Sequence, residues 1–333
     1  MAEKILILGG ARFHGLLIAL SLCNKGKNVY VLNRGNYNSN YDPKIHHLIT
    51  DRNNQKSLEN VFKNHTFDVV IDNNAYNPYQ VKTVMELIRN KCKHYIFTST
   101  FAVYFKVSSN HKLLEKEATG IPGESYYPWI SKYAMDKFAA ERMLVQEYNG
   151  LNYTILRLPT VFGEGDFLGK LAYLYYRLKD GGPITLEKEV KSFNIVYVQD
   201  LVNIYNAVIE NEVCFGRILN IADPKMYDYD EFFYSIYGDL YTPNKIVLIQ
   251  AERMWEAGYW LPFHWGPVLD TSLSEELLNG VVFTPLANWG RKTLKYELEK
   301  FKDMNVNSEF IKRRNIESKL IEKLTVKREN KDV

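Results

Sequence analysis

The chain has 333 residues, enough for one large or two small domains with a sizeable core. Its 42 basic and 39 acidic residues leave a net charge of +3, so the composition gives no indication of nucleic acid as an obligatory partner. The three cysteines, Cys23, Cys92 and Cys214, have no metal-like spacing, and without a signal peptide they predict a reducing, cytoplasmic location and no metal site.

The N-terminal segment predicts a strand, a glycine-rich turn, a helix and a second strand. Lys4–Leu8 is a short apolar run bounded by Gly9–Gly10, Phe13–Cys23 is amphipathic, and Asn28–Leu32 is a second apolar run that ends in Asn33–Gly35. This order is typical of a dinucleotide-binding sheet, where glycines let the backbone approach a pyrophosphate at the helix N-terminus. A turn with a purely structural role is the alternative.

Strand and helix patterns continue to alternate down the chain. Strands are predicted over residues 47–50, 68–72 and 94–100. The alternation over residues 1–165 predicts an α/β fold with a doubly wound parallel sheet of the Rossmann type. We expect the chain to return to this sheet within about 194–222, with strands near Ile195–Val198 and Arg217–Ile221.

Tyr133 and Lys137 are spaced so that they share one face of a helix. A free phenol has a pKa of about 10 and is a poor base at neutral pH. A nearby ammonium favours the phenolate and lowers that pKa, which makes tyrosine usable for proton transfer. Alone, the spacing also fits one packed ring and one solvated amine. Thr100, at the end of the strand over 94–100, fits either a catalytic hydroxyl or an ordinary strand end.

Several motifs together resemble those of the extended or atypical short-chain dehydrogenase/reductases over most of the chain. They lie in this order: Gly9–Gly15, Asp68–Ala75, His94–Tyr104, Tyr133–Lys137, Arg157–Gly163, Asn194–Asp200 and Leu219–Ala222. The resemblance implies that Thr100 hydrogen-bonds the substrate oxygen, that Tyr133 passes the proton, and that Lys137 holds the nicotinamide ribose and tunes Tyr133. Hydride transfer to a ketone builds alkoxide charge, which needs such donors within reach.

The resemblance also implies the cofactor contacts. They are Gly9, Gly10, Arg12, Phe13, Gly15, Asn33, Arg34, Asp51, Asn74, Ala75, Lys137 and Pro159. Two departures from the family pattern bear on the cofactor: Arg12 stands where many members have glycine, and Asn33-Arg34 where many NAD-binding members have aspartate. Losing a carboxylate and gaining two guanidinium groups favours a 2′-phosphate, so we expect NADP(H), with NAD(H) as the alternative. Alternatively, both arginines are solvated surface charges.

Outside the sheet, the composition becomes aromatic and irregular. Residues 166–193 and 223–305 are expected to form a substrate-binding cap, followed by a C-terminal helix and tail over 306–333. Aromatic side chains there can stack on a base or sugar, although core packing is the stronger alternative. The amphipathic segment Ser308–Leu324 fits a docked helix, or a basic face for a partner or membrane surface. No apolar run approaches the roughly 20 residues that span a bilayer.

The resemblance further implies a reaction on a nucleotide-linked sugar. Phe101-Ala102 follows Thr100, where sugar 4,6-dehydratases have an Asp-Glu pair, which argues against dehydration. The leading hypothesis is NADPH-dependent reduction of a 4-keto sugar nucleotide, such as dTDP-4-dehydro-6-deoxyglucose, in deoxysugar and O-antigen or other surface-polysaccharide biosynthesis. A sugar-nucleotide 4-epimerase with a resident NAD is the alternative. The resemblance also implies a homodimer through the helices around Tyr133.

A function of another class fits part of the sequence. The turn Gly10–Gly15 also resembles that of chloroplast stem-loop RNA-binding relatives of these enzymes, and other relatives only sense redox cofactors. Against this alternative, Thr100, Tyr133 and Lys137 are all present and the net charge is small. We therefore expect a nucleotide-sugar enzyme and no nucleic-acid partner.

Overall fold

The computed structural model describes residues 3–36, 42–88, 91–104, 111–118, 128–148, 150–209 and 211–329. Its strands are β1 (Lys4–Leu8), β2 (Asn28–Asn33), β3 (His46–Ile49), β4 (Val69–Asp72), β5 (His94–Thr100), β6 (Tyr153–Leu158), β7 (Thr160–Phe162), β8 (Ile184–Glu187), β9 (Ile195–Tyr197), β10 (Arg217–Asn220) and β11 (Ile246–Ile249). The first five match the strand patterns of the sequence to within two residues.

The α-helices connect these strands and cover the sheet. They are α1 (Phe13–Asn24), α2 (Gln55–Asn64), α3 (Pro78–Ile88), α4 (Pro128–Glu147), α5 (Lys170–Lys179), α6 (Val198–Ile209), α7 (Tyr229–Tyr237), α8 (Ala251–Glu256), α9 (Ser272–Leu277), α10 (Leu286–Lys300) and α11 (Ser308–Glu329). A 3₁₀ turn, Phe101–Tyr104, follows β5 directly.

A seven-stranded parallel sheet forms the centre, in the order β10-β6-β5-β4-β1-β2-β3. Helices α1 and α6 pack on one face, and α2, α3 and α4 pack on the other. Because both faces are covered, the four residues Ile5–Leu8 are fully buried, which explains their continuous apolar run. The strand order reverses between β1 and β4, and at such a point a ligand can lie beyond the carboxyl ends of the strands. The predicted doubly wound α/β fold is confirmed.

The remaining strands form two small parallel sheets, β7 with β9 and β8 with β11. The sequence placed Ile195–Val198 in the central sheet, but β9 pairs with β7 instead. Pro159 stands between β6 and β7, and its ring nitrogen has no hydrogen to donate to a neighbouring strand. The chain leaves the central sheet at Pro159, and β9 pairs with β7 outside that sheet. Arg217–Asn220 does lie in the central sheet, at its edge beside β6.

Aromatic side chains form a second core around the small sheets. Tyr173, Tyr259, Phe263 and Trp265 are all buried there or against α11, so these four rings pack in the interior. Helix α11 is docked by Phe310 and Leu320 and by a buried ion pair between Arg177 and Glu317. Among the described residues, no helix has both the length and the apolarity needed to cross a membrane.

Candidate active site

The glycine-rich turn, Gly9–Gly15, joins β1 to α1 at the point where the strand order reverses. Gly9 has φ +88°, a conformation that side chains other than glycine's rarely adopt. At Gly15, an added Cβ would lie 2.5 Å from the Gly9 carbonyl oxygen, so only glycine fits. The turn is therefore drawn tightly against the N-terminus of α1.

The N-terminus of α1 has the features of an anion site. Its N-cap, Arg12, makes no side-chain capping bond, and no acidic residue lies in the first turn. Backbone N–H groups and the positive end of the helix dipole favour a phosphate there. Phe13, the first residue of the helix, has φ +48°, which is unusual for a residue with a large side chain. The residues of this turn fit the pyrophosphate of a dinucleotide.

The turn after β4 lies against the glycine-rich turn. A Cβ on Gly9 would lie 2.9 Å from the Asn74 side chain, so Gly9 and Asn74 are in close contact. The backbone N–H of Ala75 donates to Asp72 Oδ1 at 3.0 Å, which fixes the direction of the chain as it leaves the strand. The structure thus brings together Gly9, Gly15, Asn74 and Ala75 from the residues that the sequence predicts for the cofactor.

Arg52 supports this turn, and the sequence did not point to it. It donates to both carboxylate oxygens of Asp72, at 2.6 and 2.8 Å, and to Asn74 Oδ1 at 2.5 Å. Tyr95 donates its hydroxyl to the same carboxylate at 2.8 Å. Burial acts to raise the pKa of Asp72, but the Arg52 guanidinium and these hydrogen bonds outweigh it and lower the pKa. A buried, ionised Asp72 therefore holds the turn in place.

Thr100 and Tyr133 meet at the end of β5. Their side chains lie close together; Thr100 is buried and Tyr133 is half-buried. Burial raises the pKa of Tyr133 to about 12, and the nearby Thr100 hydroxyl only partly opposes this. The sequence predicted a lowered pKa from Lys137. Instead, the Lys137 ammonium donates to the carbonyl oxygen of Thr98 at 2.7 Å.

Lys137 is buried, and its pKa is lower than that of an exposed lysine. Burial lowers the pKa of Lys137 to about 8, against the attraction of Asp72 and, less strongly, of Glu141. Its Nζ atom lies 4.7 Å from the ring centroid of Phe97 and 5.5 Å from that of Tyr76, where a cation is attracted to the ring faces. Lys137 is therefore a lysine whose charge can change near physiological pH.

His14 is a further titratable group of the glycine-rich turn. Burial, together with the positive charges of Lys170 and Lys137, lowers its pKa to about 4. Lys170 itself is buried, is paired with Asp166 at 2.7 Å, and has its Nζ 5.2 Å from the ring centroid of Phe13. At neutral pH the imidazole is therefore uncharged.

Of the residues predicted to contact the adenosine end of the cofactor, Asn33 and Arg34 lie at the end of β2, Asp51 follows β3, and Arg12 precedes α1. Asn33 Oδ1 accepts a hydrogen bond from the N–H of Gly35 at 2.8 Å, which shapes the turn that carries the exposed Arg34. The guanidinium of Arg12 lies 4.0 Å from the ring centroid of Phe167. Asp51 Oδ1 accepts from the N–H of Asn53 at 2.9 Å.

Two predicted cofactor residues have packing roles in the described structure. Gly10 is packed tightly, since an added Cβ would lie 3.0 Å from two methyl carbons of Val31 in β2. Pro159 is buried between β6 and β7. Both positions adjoin the carboxyl ends of central strands, where the sequence placed the cofactor.

Comparisons with known proteins agree with this architecture. The model of the "NAD dependent epimerase/dehydratase family" matches residues 5–222. The chain is 26% identical over 242 residues to the "Chloroplast stem-loop binding protein of 41 kDa b" of Arabidopsis thaliana, covering 68% of this chain and 61% of that protein. The chain thus spans about three-fifths of the length of that relative.

Solved structures are similar over nearly the whole chain. A UDP-glucose 4-epimerase from Thermotoga maritima has a TM-score of 0.71 and 21% identity, covering 90% of this chain and 100% of that one. A dTDP-glucose 4,6-dehydratase from Bacillus anthracis, in complex with NAD, has a TM-score of 0.72 and 17% identity, covering 91% and 98%. The resemblance to extended short-chain dehydrogenase/reductases is confirmed, and the chain belongs to the NAD-dependent epimerase/dehydratase family.

Proposed function

We propose that this chain is an NAD(P)-dependent oxidoreductase acting on the CH–OH/C=O group of a nucleotide sugar. More specifically, we propose an NADPH-dependent reductase of a 4-keto sugar nucleotide, such as dTDP-4-dehydro-6-deoxyglucose, in deoxysugar or surface-polysaccharide biosynthesis. The observation that carries the proposal is that Tyr133 lies close to Thr100 at the end of β5, with the buried Lys137 one helical turn from Tyr133.

The three side chains have separate roles in this proposal. The hydride is the chemistry that a nicotinamide dinucleotide supplies when bound. Tyr133 passes its hydroxyl proton to the oxygen on which alkoxide charge develops, and Thr100 donates to the same oxygen. Lys137 is protonated below about pH 8, and its ammonium, one helical turn from Tyr133, would favour the phenolate that remains after the proton is passed. Gly9, Gly15 and the N-terminus of α1 would hold the pyrophosphate.

The end of β2 supports the choice of NADP(H). Asn33 carries no charge, so it does not repel a 2′-phosphate as a carboxylate would. Arg34, next to it, is exposed and can pair with that phosphate through two donors. A reductase exchanges its cofactor at every turnover, and the exposed position of Arg34 is compatible with that exchange.

A 4-epimerase with a resident NAD is the second candidate. The similarity to the Thermotoga maritima UDP-glucose 4-epimerase supports it. The same Tyr133, Thr100 and Lys137 would serve an epimerase, since that reaction also passes through a keto intermediate. This candidate predicts that the purified protein carries NAD and needs none added.

RNA binding is a candidate of another class, and the similarity to the Arabidopsis stem-loop binding protein supports it. The small net charge of +3 argues against a large phosphate-binding face. Binding to a stem-loop RNA with a steep dependence on salt, unchanged in Tyr133→Phe, would favour this candidate over an enzyme.

The proposal extends to the substrate cap, the oligomeric state and the location of the protein. Residues 166–193 and 223–305 would form the substrate cap, followed by the C-terminal segment 306–333. Tyr79 on α3 and Met135 on α4 are more than half exposed, which supports a homodimer through these helices. The unpaired state of all three cysteines supports a reducing, cytoplasmic location.

The first experiment follows absorbance at 340 nm with purified protein, NADPH or NADH, and freshly made dTDP-4-dehydro-6-deoxyglucose. The proposal predicts oxidation of NADPH, faster than that of NADH, and none in Tyr133→Phe. If neither cofactor is oxidised, the reductase assignment fails, and the presence of NAD in the purified protein then decides between an epimerase and a non-catalytic relative.

A further inference from the structure

A buried ion pair lies directly behind the candidate active site. Glu141 follows Lys137 by four residues on α4, so Tyr133, Lys137 and Glu141 share one face of the helix. The Glu141 carboxylate is 1% exposed and is paired with Arg157 of β6, which is 2% exposed. Arg157 donates to both carboxylate oxygens, from Nη2 at 2.6 Å and from Nε at 3.1 Å.

The same carboxylate is bonded to the strand that carries Thr100. The hydroxyl of Ser99 donates to Glu141 Oε1. Ser99 is buried and immediately precedes Thr100 at the end of β5. Glu141 therefore joins the helix that carries Tyr133 and Lys137 to the strand that carries their partner hydroxyl.

Arg157 extends this connection to the other side. Its Nη1 donates to the Tyr104 hydroxyl at 2.6 Å and to the Glu115 carbonyl oxygen at 2.7 Å. The Tyr104 hydroxyl in turn donates to Asn220 Oδ1 of β10 at 2.7 Å. One arginine thus fixes the 3₁₀ turn after Thr100 and the backbone at Glu115 relative to two central strands.

We propose that Glu141 and Arg157 are a positioning pair for this site. They hold α4 against the end of β5 so that Tyr133 meets Thr100 and Lys137 meets the Thr98 carbonyl, and the Glu141 carboxylate stabilises the positive charge of Lys137. A bidentate arginine–carboxylate pair fixes orientation as well as distance, which a single hydrogen bond cannot do. Neither residue takes part in the transfer of the proton or the hydride.

Three charged side chains influence whether Lys137 keeps its proton. Asp72 and Glu141 favour its ammonium form, and Arg52 opposes it. Asp72 is itself held by Arg52 through two hydrogen bonds. Removing the negative charge of Glu141 therefore removes one of the two attractions that favour the Lys137 ammonium. The pKa of Lys137 should then fall.

The chain contains a matched control for this pair. Arg177 and Glu317 form another buried ion pair, with both side chains 0% exposed and 2.6 Å between Nη2 and Oε2. This pair joins α5 to α11, in the second half of the chain. Glu141→Gln and Glu317→Gln each remove one buried negative charge from an arginine, and Arg177 keeps Asp180 as a second partner. A purely structural role therefore predicts lower stability in both variants and no difference between them in NADPH binding.

The test compares Glu141→Gln, Glu317→Gln and Ser99→Ala with the wild type. Melting temperature reports stability, and quenching of tryptophan fluorescence gives the Kd of NADPH without any sugar substrate. We expect both glutamine variants to melt earlier. Only Glu141→Gln should weaken NADPH binding, about tenfold, whereas Glu317→Gln should stay within about twofold of the wild type. If Glu141→Gln does not fold, Ser99→Ala decides, because it keeps the ion pair and should still weaken binding about threefold.

Turnover adds a second readout, which rests on the proposed function. In Glu141→Gln, kcat should fall more than KM rises, and the alkaline limb of the kcat profile should move to lower pH; Glu317→Gln should change neither. Equal Kd values in the two glutamine variants, or an unmoved alkaline limb in Glu141→Gln, would overturn the positioning pair. If the wild type binds NADPH but reduces no 4-keto sugar nucleotide, the proposed function fails, and the comparison of Kd values still judges the pair.

Discussion

The buried ammonium of Lys137 should lower the free energy of unfolding of the protein. Its pKa of about 8, compared with the ordinary lysine value of 10.5, corresponds to roughly 3 kcal/mol at about 1.4 kcal/mol per pH unit. The pKa is lowered in the folded state, so this cost is fully present below pH 8 and disappears as the pH rises through 10.5. Replacing Lys137 with methionine removes the charge and keeps an unbranched chain that can pack against Phe97.

The expected gain is smaller than the full ionisation cost. Lys137→Met also leaves the Thr98 carbonyl without the donor now 2.7 Å away, and an unmet buried acceptor costs about 1–3 kcal/mol. At pH 7 the variant should therefore be between equally stable and about 2 kcal/mol more stable than the wild type, while turnover is lost. From pH 7 to pH 10 its advantage should shrink by about 2 kcal/mol, because the wild type no longer has to bury a charge.

Urea denaturation of both proteins at pH 7 and pH 10 measures this difference directly. Lys132→Met is the control, since Lys132 lies on the same helix with its side chain 77% exposed, and its loss should change stability by less than about 1 kcal/mol. The reasoning is refuted if Lys137→Met is destabilised at pH 7 by several kcal/mol, or if its difference from the wild type is the same at both pH values.

Three further predictions concern the cofactor and the proton. Tyr133→Phe should abolish turnover yet leave the Kd of NADPH within about threefold, by fluorescence quenching; retained activity would remove Tyr133 from the mechanism. Arg34→Ala should weaken NADPH by about tenfold or more and NADH hardly at all, since only NADPH has the 2′-phosphate; equal losses would refute that contact. Gly15→Ala should abolish binding of both, because its Cβ would lie 2.5 Å from the Gly9 carbonyl oxygen; unchanged binding in calorimetry would contradict the assigned cradle.

The parts of the site that the sequence predicted are those set by local chain geometry. The glycine-rich turn follows from a strand, two glycines and a helix within 24 residues, and Tyr133 and Lys137 share a face because they are four residues apart. The partners of these side chains depend on strand order, which no short pattern contains. Spacing alone could not show that Lys137 donates to Thr98, or that burial would raise the pKa of Tyr133 to about 12.

The partners of Arg52 and Arg157 could not be predicted from the sequence for the same reason. Arg52 meets Asp72 only because β3 and β4 end on the same edge of the sheet, with β1 and β2 between them. Arg157 meets Glu141 only because α4 crosses behind β5 and β6. In sequence Arg52 is one basic residue among 42 lysines and arginines, and Arg157 begins a family motif that does not indicate its partner. An isolated arginine pattern gives no sign of which one is buried.

The two buried arginines and the buried Lys137 have different roles in the site, because their chemistry differs. Arg52 and Arg157 each grip a buried carboxylate through two donors, and arginine keeps its proton at any physiological pH, so their geometry is constant. Lys137 instead donates to a backbone carbonyl, and burial has brought its pKa to about 8. A phosphate-bearing ligand nearby would favour its charged form again. The two arginine–carboxylate pairs keep the framework constant, whereas Lys137 can change its charge one helical turn from Tyr133, where the reaction changes the charge of the reacting groups.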